Sequence, residues 1–192
     1  MNNKLLLLFS LCIVILISSC SKDDDDILPE SILSEYEIDI IDYFKEIALG
    51  FEFGNTSNIT RKWNSEMKVF IGGEPSSELL AEFEKIRTEI NELATDGFKV
   101  TVVNDSLQSN YYIFLGLGTK YAEMFPDKSN LINSNWGLFY VMWNGQNQFY
   151  SGHMYVDIMR ANSIEQKHLL REEFTQSLGF ARDSQLYMES IF

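Results

Sequence analysis

The sequence predicts an α/β (α+β) fold built on a mixed sheet, and three observations lead there. Two long segments repeat apolar residues at helical spacing. Short runs rich in β-branched and aromatic residues lie between and after them. Asn144-Gly145 separates two such runs in the manner of a hairpin turn. The composition suits a folded core, with 45% hydrophobic and 14% aromatic residues and only 3 Pro. No internal repeat or low-complexity linker interrupts residues 34–192, so one domain with a single sizeable core is expected there.

The first helix is expected from about Ser34 to Phe53, with Ile40, Ile41, Phe44, Ile47, Ala48 and Phe51 on one face and acidic residues opposite. A polar loop, residues 54–60, precedes a short strand from Met67 to Ile71. Pro75, Ser76 and Ser77 open a second helix to about Ala94, whose buried stripe is Leu79, Leu80, Phe83, Ile86, Ile90 and Leu93. Asp96-Gly97 closes it with turn chemistry. Strands follow at Phe98–Val103 and Tyr111–Leu117, then a short helix from Lys120 to Met124 stopped by Pro126. Leu138–Trp143 and Gln148–Ile158 are the hairpin strands. The last helix spans about Ile164 to Leu178, with Ser163 as N-cap, Gln166 completing a capping box and Gly179 as its stop.

The N-terminus carries an address. Lys4 and the apolar run Leu5–Ile17 have the layout of a secretory signal, too short to span ~30 Å of hydrocarbon comfortably. The run ends in Ile17-Ser18-Ser19-Cys20, which resembles a bacterial lipobox, so residues 1–19 are expected to be removed and Cys20 lipidated. Cys12 leaves with the signal, and Cys20 alone cannot form an intramolecular disulfide. Residues 20–33 form an acidic tether, because the Asp23–Asp26 run repels itself and cannot pack. Lys22 followed by acidic residues is similar to the sequence after the lipidated Cys in Bacteroidota surface lipoproteins, which implies an outer-membrane protein facing outward.

Charge narrows the partners. A formal net charge of -13 argues against nucleic acid, which rewards a basic patch, and against docking on anionic lipid. Membrane attachment is therefore expected through the anchor at Cys20.

The stretch most loaded with chemistry is Arg171-Glu172-Glu173-Phe174-Thr175-Gln176-Ser177-Leu178-Gly179. It keeps the frame H-E-x-x-H-x-x-G of a zinc-protease helix with both His replaced. Glu172 and Gln176 occupy the ligand positions, and Glu173 that of the general base. His168, Glu172 and Gln176 recur at i, i+4 and i+8, so they share one helical face. Zinc favours imidazole and thiolate, and Glu and Gln here, like the Asp that follows at 183, offer hard oxygens better suited to calcium or to no metal. His153, in an aromatic-rich strand, has the setting of a hydrogen-bonded structural residue. Gly116-Leu117-Gly118-Thr119 lacks a phosphate fingerprint and reads as a turn. Asp105-Ser106-Leu107 resembles the short O-glycosylation acceptor of Bacteroidota.

Several pieces together resemble one family. They are Tyr43–Ala48, Arg61-Lys62-Trp63, Met67-Lys68-Val69, Glu172–Phe180, Asp183-Ser184 and Ser190-Ile191-Phe192. The chain is similar, from about Tyr43 to its last residue, to the bacterial domain of unknown function 2927. The same C-terminal signature resembles a degenerate metzincin, which implies a zincin-like mixed sheet leading into the ligand-bearing helix. On that resemblance Arg182, with Asp183 beside it, stands at the third ligand position, and Ser190–Phe192 resembles the turn beneath the metal.

Two functions are weighed. The first is a surface-anchored lipoprotein whose zincin-like domain lacks zinc catalysis and cofactor, and serves as a binding or structural protein for an unknown protein or peptide partner. The second is an atypical metal-dependent, peptidase-like hydrolase. There Glu173 would be the base and Glu172, Gln176, Asp183 or His168 would hold a divalent metal.

Overall fold

The computed structural model describes residues 33–51, 59–187 and 190–191. The signal, Cys20 and the acidic run therefore lie outside the described residues, as does Phe192. The chain divides into two units, Met1–Glu37 and Ile38–Phe192. In the first, the Ser34 backbone N–H and hydroxyl both donate to the Glu37 carboxylate at 2.8 Å, and the Glu37 N–H donates back to Ser34 Oγ. This reciprocal cap starts helix α1, Glu35–Ala48.

The elements run α1, β1 (Lys62–Trp63), β2 (Met67–Gly73), α2 (Ser77–Leu93), β3 (Val100–Val102), β4 (Tyr111–Gly116), α3 (Gly118–Met124), β5 (Gly137–Trp143), β6 (Gln148–Asp157) and α4 (Ser163–Gln176). The fold is α/β: a six-stranded, mostly parallel sheet packed with four helices among the described residues. β3, β2, β4 and β6 run parallel in that spatial order, and β5 adds to β6 antiparallel. Phe149 pairs with both Trp63 and Trp143, so β1 and β5 flank opposite edges of β6.

Side-chain alternation explains why the central strands read as continuous apolar runs. Tyr111, Ile113 and Leu115 of β4 enter one core with Met154 and Val156 of β6, Phe83 and Ile86 of α2, and Leu170 and Phe174 of α4. Phe114 and Tyr155 enter a second core with Tyr121, Ile132 and Leu138. Both sheet faces are covered, so neither face needs polar residues. The edge-to-face pair Phe83–Phe174, with centroids 5.2 Å apart, locks α2 to α4.

The structure corrects several details of the sequence expectations. Leu80 and Leu93 are exposed, because Leu80 stands ~100° from Leu79 around the helix and Leu93 is the last residue of α2. On α1 only Ile47 and Ala48 are buried; Ile40, Ile41 and Phe44 are exposed. The cap of α4 is Asn162 rather than Ser163, and Glu165 rather than Gln166 closes the capping box. Gln166 Nε2 instead donates to the carbonyls of Ile158 and Ala161, which ties the helix start to the end of β6. The hairpin loop has four residues: the Asn144 side chain accepts from the N–H groups of Gln146 and Gln148, and Asn147, not Gly145, takes the positive φ of 61°. β1 is a strand the sequence expectation omits, since two residues give no periodicity.

Candidate functional site

α4 presents His168, Glu172 and Gln176 along one face, and the segment after it brings Asp183 back. With Glu173, these residues line a cleft of about 370 Å³ whose far wall is Ser134–Gly137. The five side chains named from the sequence therefore share one cavity wall.

Within it they associate in pairs. His168 Nε2 lies 3.5 Å from a Glu172 carboxylate oxygen, and the Gln176 amide donates to Asp183 Oδ1 at 2.6 Å. His168 is half exposed and Glu172 only a fifth, whereas Gln176 is buried. Gln176 thus hands its amide N–H to a carboxylate instead of turning its oxygen toward a shared ion. Among the described residues, no three His, Cys, Asp or Glu side chains converge tightly enough to hold one metal ion.

Glu173 lies against the edge strand β5. A Cβ built on Gly137 would stand 2.6 Å from Glu173 Oε1 and 3.1 Å from Leu169 Cδ2, so the missing side chain at 137 is the space that Glu173 fills. Glu173 lines both the acid-rich cleft and a neighbouring apolar cavity of about 340 Å³ beside β5. Its negative charge also reaches Tyr111, a fully buried phenol on β4. Burial pushes that phenol well above its ordinary range and Glu173 adds to the rise, while its hydroxyl has no hydrogen-bond partner among the described residues.

The end of α4 is anchored by residues the sequence frame does not contain. Trp63 Nε1 donates to the Ser177 carbonyl at 3.0 Å. Gly179 has φ of +129°, and a Cβ there would meet the Arg61 carbonyl at 2.3 Å. Arg61-Lys62-Trp63 and the Gly179 signature, distant in sequence, are thus one contact. Arg182 turns away from the cleft: its N–H donates to Ile47 O and its guanidinium lies 3.5 Å from Leu49 O. Ser184 donates to Glu46 and Ser190 hydrogen-bonds Tyr43, so the C-terminal segment packs on α1.

The far wall of the cleft has its own support, which sequence reasoning missed. Asp157 is 1% exposed and accepts from the Arg160 guanidinium at 2.8 Å and from the N–H groups of Gly118, Met159 and Arg160. Burial alone would raise its pKa, but these donors outweigh it and hold the carboxylate below its ordinary range. Arg160 then donates to the carbonyls of Ile132 and Asn135, pinning the segment that faces α4. His153 is structural, as its strand suggested: Nδ1 hydrogen-bonds Tyr121 Oη at 2.6 Å, and the ring stacks on Phe125 with centroids 3.7 Å apart. Gly116–Thr119 joins β4 to α3, and Ser106 opens a 3₁₀ turn capped by Asp105.

No helix among the described residues is long and apolar enough to cross a membrane. No curated protein matches the chain. The family model described as protein of unknown function (DUF2927) matches residues 37–192, which takes in the whole sheet, the α4 cleft and the C-terminal segment, and the chain belongs to that family.

Proposed function

We propose that this protein is a lipoprotein anchored through Cys20 at the outer face of the outer membrane, whose zincin-like domain binds a protein or peptide partner without zinc catalysis. The observation that carries the reading is the pairing on α4. Gln176 is committed to Asp183 and His168 leans on Glu172, so the frame is kept while each of its two ligand positions already has a partner. The mixed sheet leading into α4 supports the zincin-like part. An acid-rich cleft beside an apolar one suits a partner with both basic and apolar groups.

Calorimetry with zinc tests this. The wild type should show no binding at micromolar metal, and Glu172→His with Gln176→His should create it, since i, i+4 imidazoles chelate with little reorganisation. Stoichiometric zinc binding by the wild type would instead favour a metal-dependent hydrolase with Glu173 as base. Binding by neither protein would break the zincin-like geometry. The anchor is tested separately: Cys20→Ala should lose acyl labelling and leave the outer-membrane fraction, and unchanged fractionation would sink the lipoprotein reading.

A further inference from the structure

The apolar cavity of about 340 Å³ beside β5 follows the outer edge of that strand, because five consecutive residues, Gly137 to Val141, line it. A cavity on one sheet face would meet only every second residue. Two hydrogen bonds define which backbone groups look outward. The Asp157 N–H donates to the Trp136 carbonyl at 2.7 Å, and the Asn144 N–H to the Gln148 carbonyl at 3.0 Å. Trp136, Leu138, Tyr140, Met142 and Asn144 therefore turn their N–H and C=O groups toward β6. Those of Gly137, Phe139 and Val141 point away from it, and no other described segment gives them a backbone hydrogen bond. Gly137 and Val141 are nevertheless buried, Val141 to 2% exposure. The edge is thus enclosed, with no room for the β5 of a second copy to lie along it.

Buried backbone donors and acceptors without partners are costly, and here they recur at two-residue steps of roughly 7 Å. An extended peptide presents matching groups at the same interval. The walls, Phe51, Leu131, Leu138 and Trp143 among them, are apolar, and the volume is that of a small-ligand pocket. Two charged side chains line the cavity. Lys128 is neutralised by Asp127 at 2.8 Å and lies over the Tyr140 ring. Glu173 stands where the cavity meets the acid-rich cleft, whose lining holds four carboxylates and no Lys or Arg. That end is therefore negative and suits an ammonium group. On the premise that the domain binds peptides, we infer that this cavity holds a short apolar peptide by its free amino terminus. The peptide backbone pairs with Gly137, Phe139 and Val141, and the ammonium sits at Glu173, so the peptide runs parallel to β5.

The test titrates the full chain carrying Cys20→Ser, so that no acyl group of its own competes, with Leu-Val-Leu amide in a calorimeter. The N-acetylated peptide should bind at least about tenfold more weakly, since one charge-assisted contact is lost. Glu173→Gln should remove that difference, and acetylation probes the same contact on the unaltered protein. Of two versions N-methylated at the second or the third residue, one should lose binding and the other keep it, because alternate N–H groups of a strand face its neighbour. Octylamine, apolar and cationic but without an amide, should bind at least about tenfold more weakly than the peptide. Ala181→Leu, which fills part of the cavity, should weaken the peptide at least about tenfold. Affinity unchanged by acetylation, or by methylation at either residue, would overturn the proposal. Peptide binding untouched by Ala181→Leu would overturn it too, while leaving the protein a peptide binder at another site. Absence of Leu-Val-Leu amide binding sinks the cavity assignment alone, whereas stoichiometric zinc binding by the wild type sinks the functional reading.

Discussion

Two polar clusters border the α4 cleft, and each sets carboxylates against hydrogen-bond donors, to opposite ends. At the end of β6, Asp157 is enclosed and accepts from four donors, while Arg160 spends its guanidinium on backbone carbonyls. On α4, His168 and Glu172 approach each other at 3.5 Å in partial solvent, and Asp183 is exposed. A buried charge survives only when nearly every lone pair is satisfied, and removing one partner then strands the rest. A half-exposed pair keeps water as an alternative partner and contributes little to stability. The β6 cluster is therefore part of the fold, whereas His168, half exposed on α4, can be replaced cheaply.

Breaking the buried cluster should give the largest effect. Asp157→Ala strands Arg160 and orphans the Gly118 N–H, and should cost about 3 kcal/mol of unfolding free energy. Urea denaturation would read it directly. A loss below about 1 kcal/mol would mean that solvent reaches this site and that the contrast with α4 is false.

How much of this was legible beforehand depends on the range of the signal. Elements carried by local periodicity were readable: the α2 stripe Leu79, Phe83 and Ile86, the β4 run, and α4 itself. The residue-level faces of α1 and the cap of α4 were not, because one polar neighbour caps as well as the next and only the chain direction decides. The α4 side of the site was visible because helix spacing places residues four apart on one face. Its other side was not. Gly137 matters as empty space for Glu173, and Asp157 and Arg160 act on the Ile132–Asn135 segment, more than twenty residues away in sequence. No pattern within a window of a dozen residues carries such contacts.

A pH dependence sharpens the comparison at intermediate size. Burial holds the His153 ring neutral, the nearby Lys128 charge adds to that and Asp127 opposes it, so its pKa falls to about 4. The unfolded chain takes up a proton near pH 6.5, and the folded chain refuses it until about pH 4. Stability from this residue is therefore full above pH 6.5 and drains away between there and pH 4, by about 3 kcal/mol in all. His153→Gln should be less stable than wild type at pH 7.5, since the stack on Phe125 is lost. The gap should narrow steadily on acidification, because the variant has no such proton to refuse. Parallel urea curves for the two proteins at pH 7.5 and pH 4.5 would place the His153 ring in solvent instead.

The smallest expected effect is on the α4 face, and its smallness is the point. His168 is half exposed and meets Glu172 one turn on. A surface pair at i, i+4 contributes about 0.3–0.5 kcal/mol at best, and less with the basic residue at the N-terminal position, where it opposes the helix dipole. Ala is also the better helix former, by a few tenths of a kcal/mol. His168→Ala should therefore change unfolding free energy by less than about 0.5 kcal/mol in either direction, measured by urea denaturation at neutral pH. A loss above about 1.5 kcal/mol would show that His168 takes part in a network as closed as that of Asp157, and the contrast between the two clusters would fail.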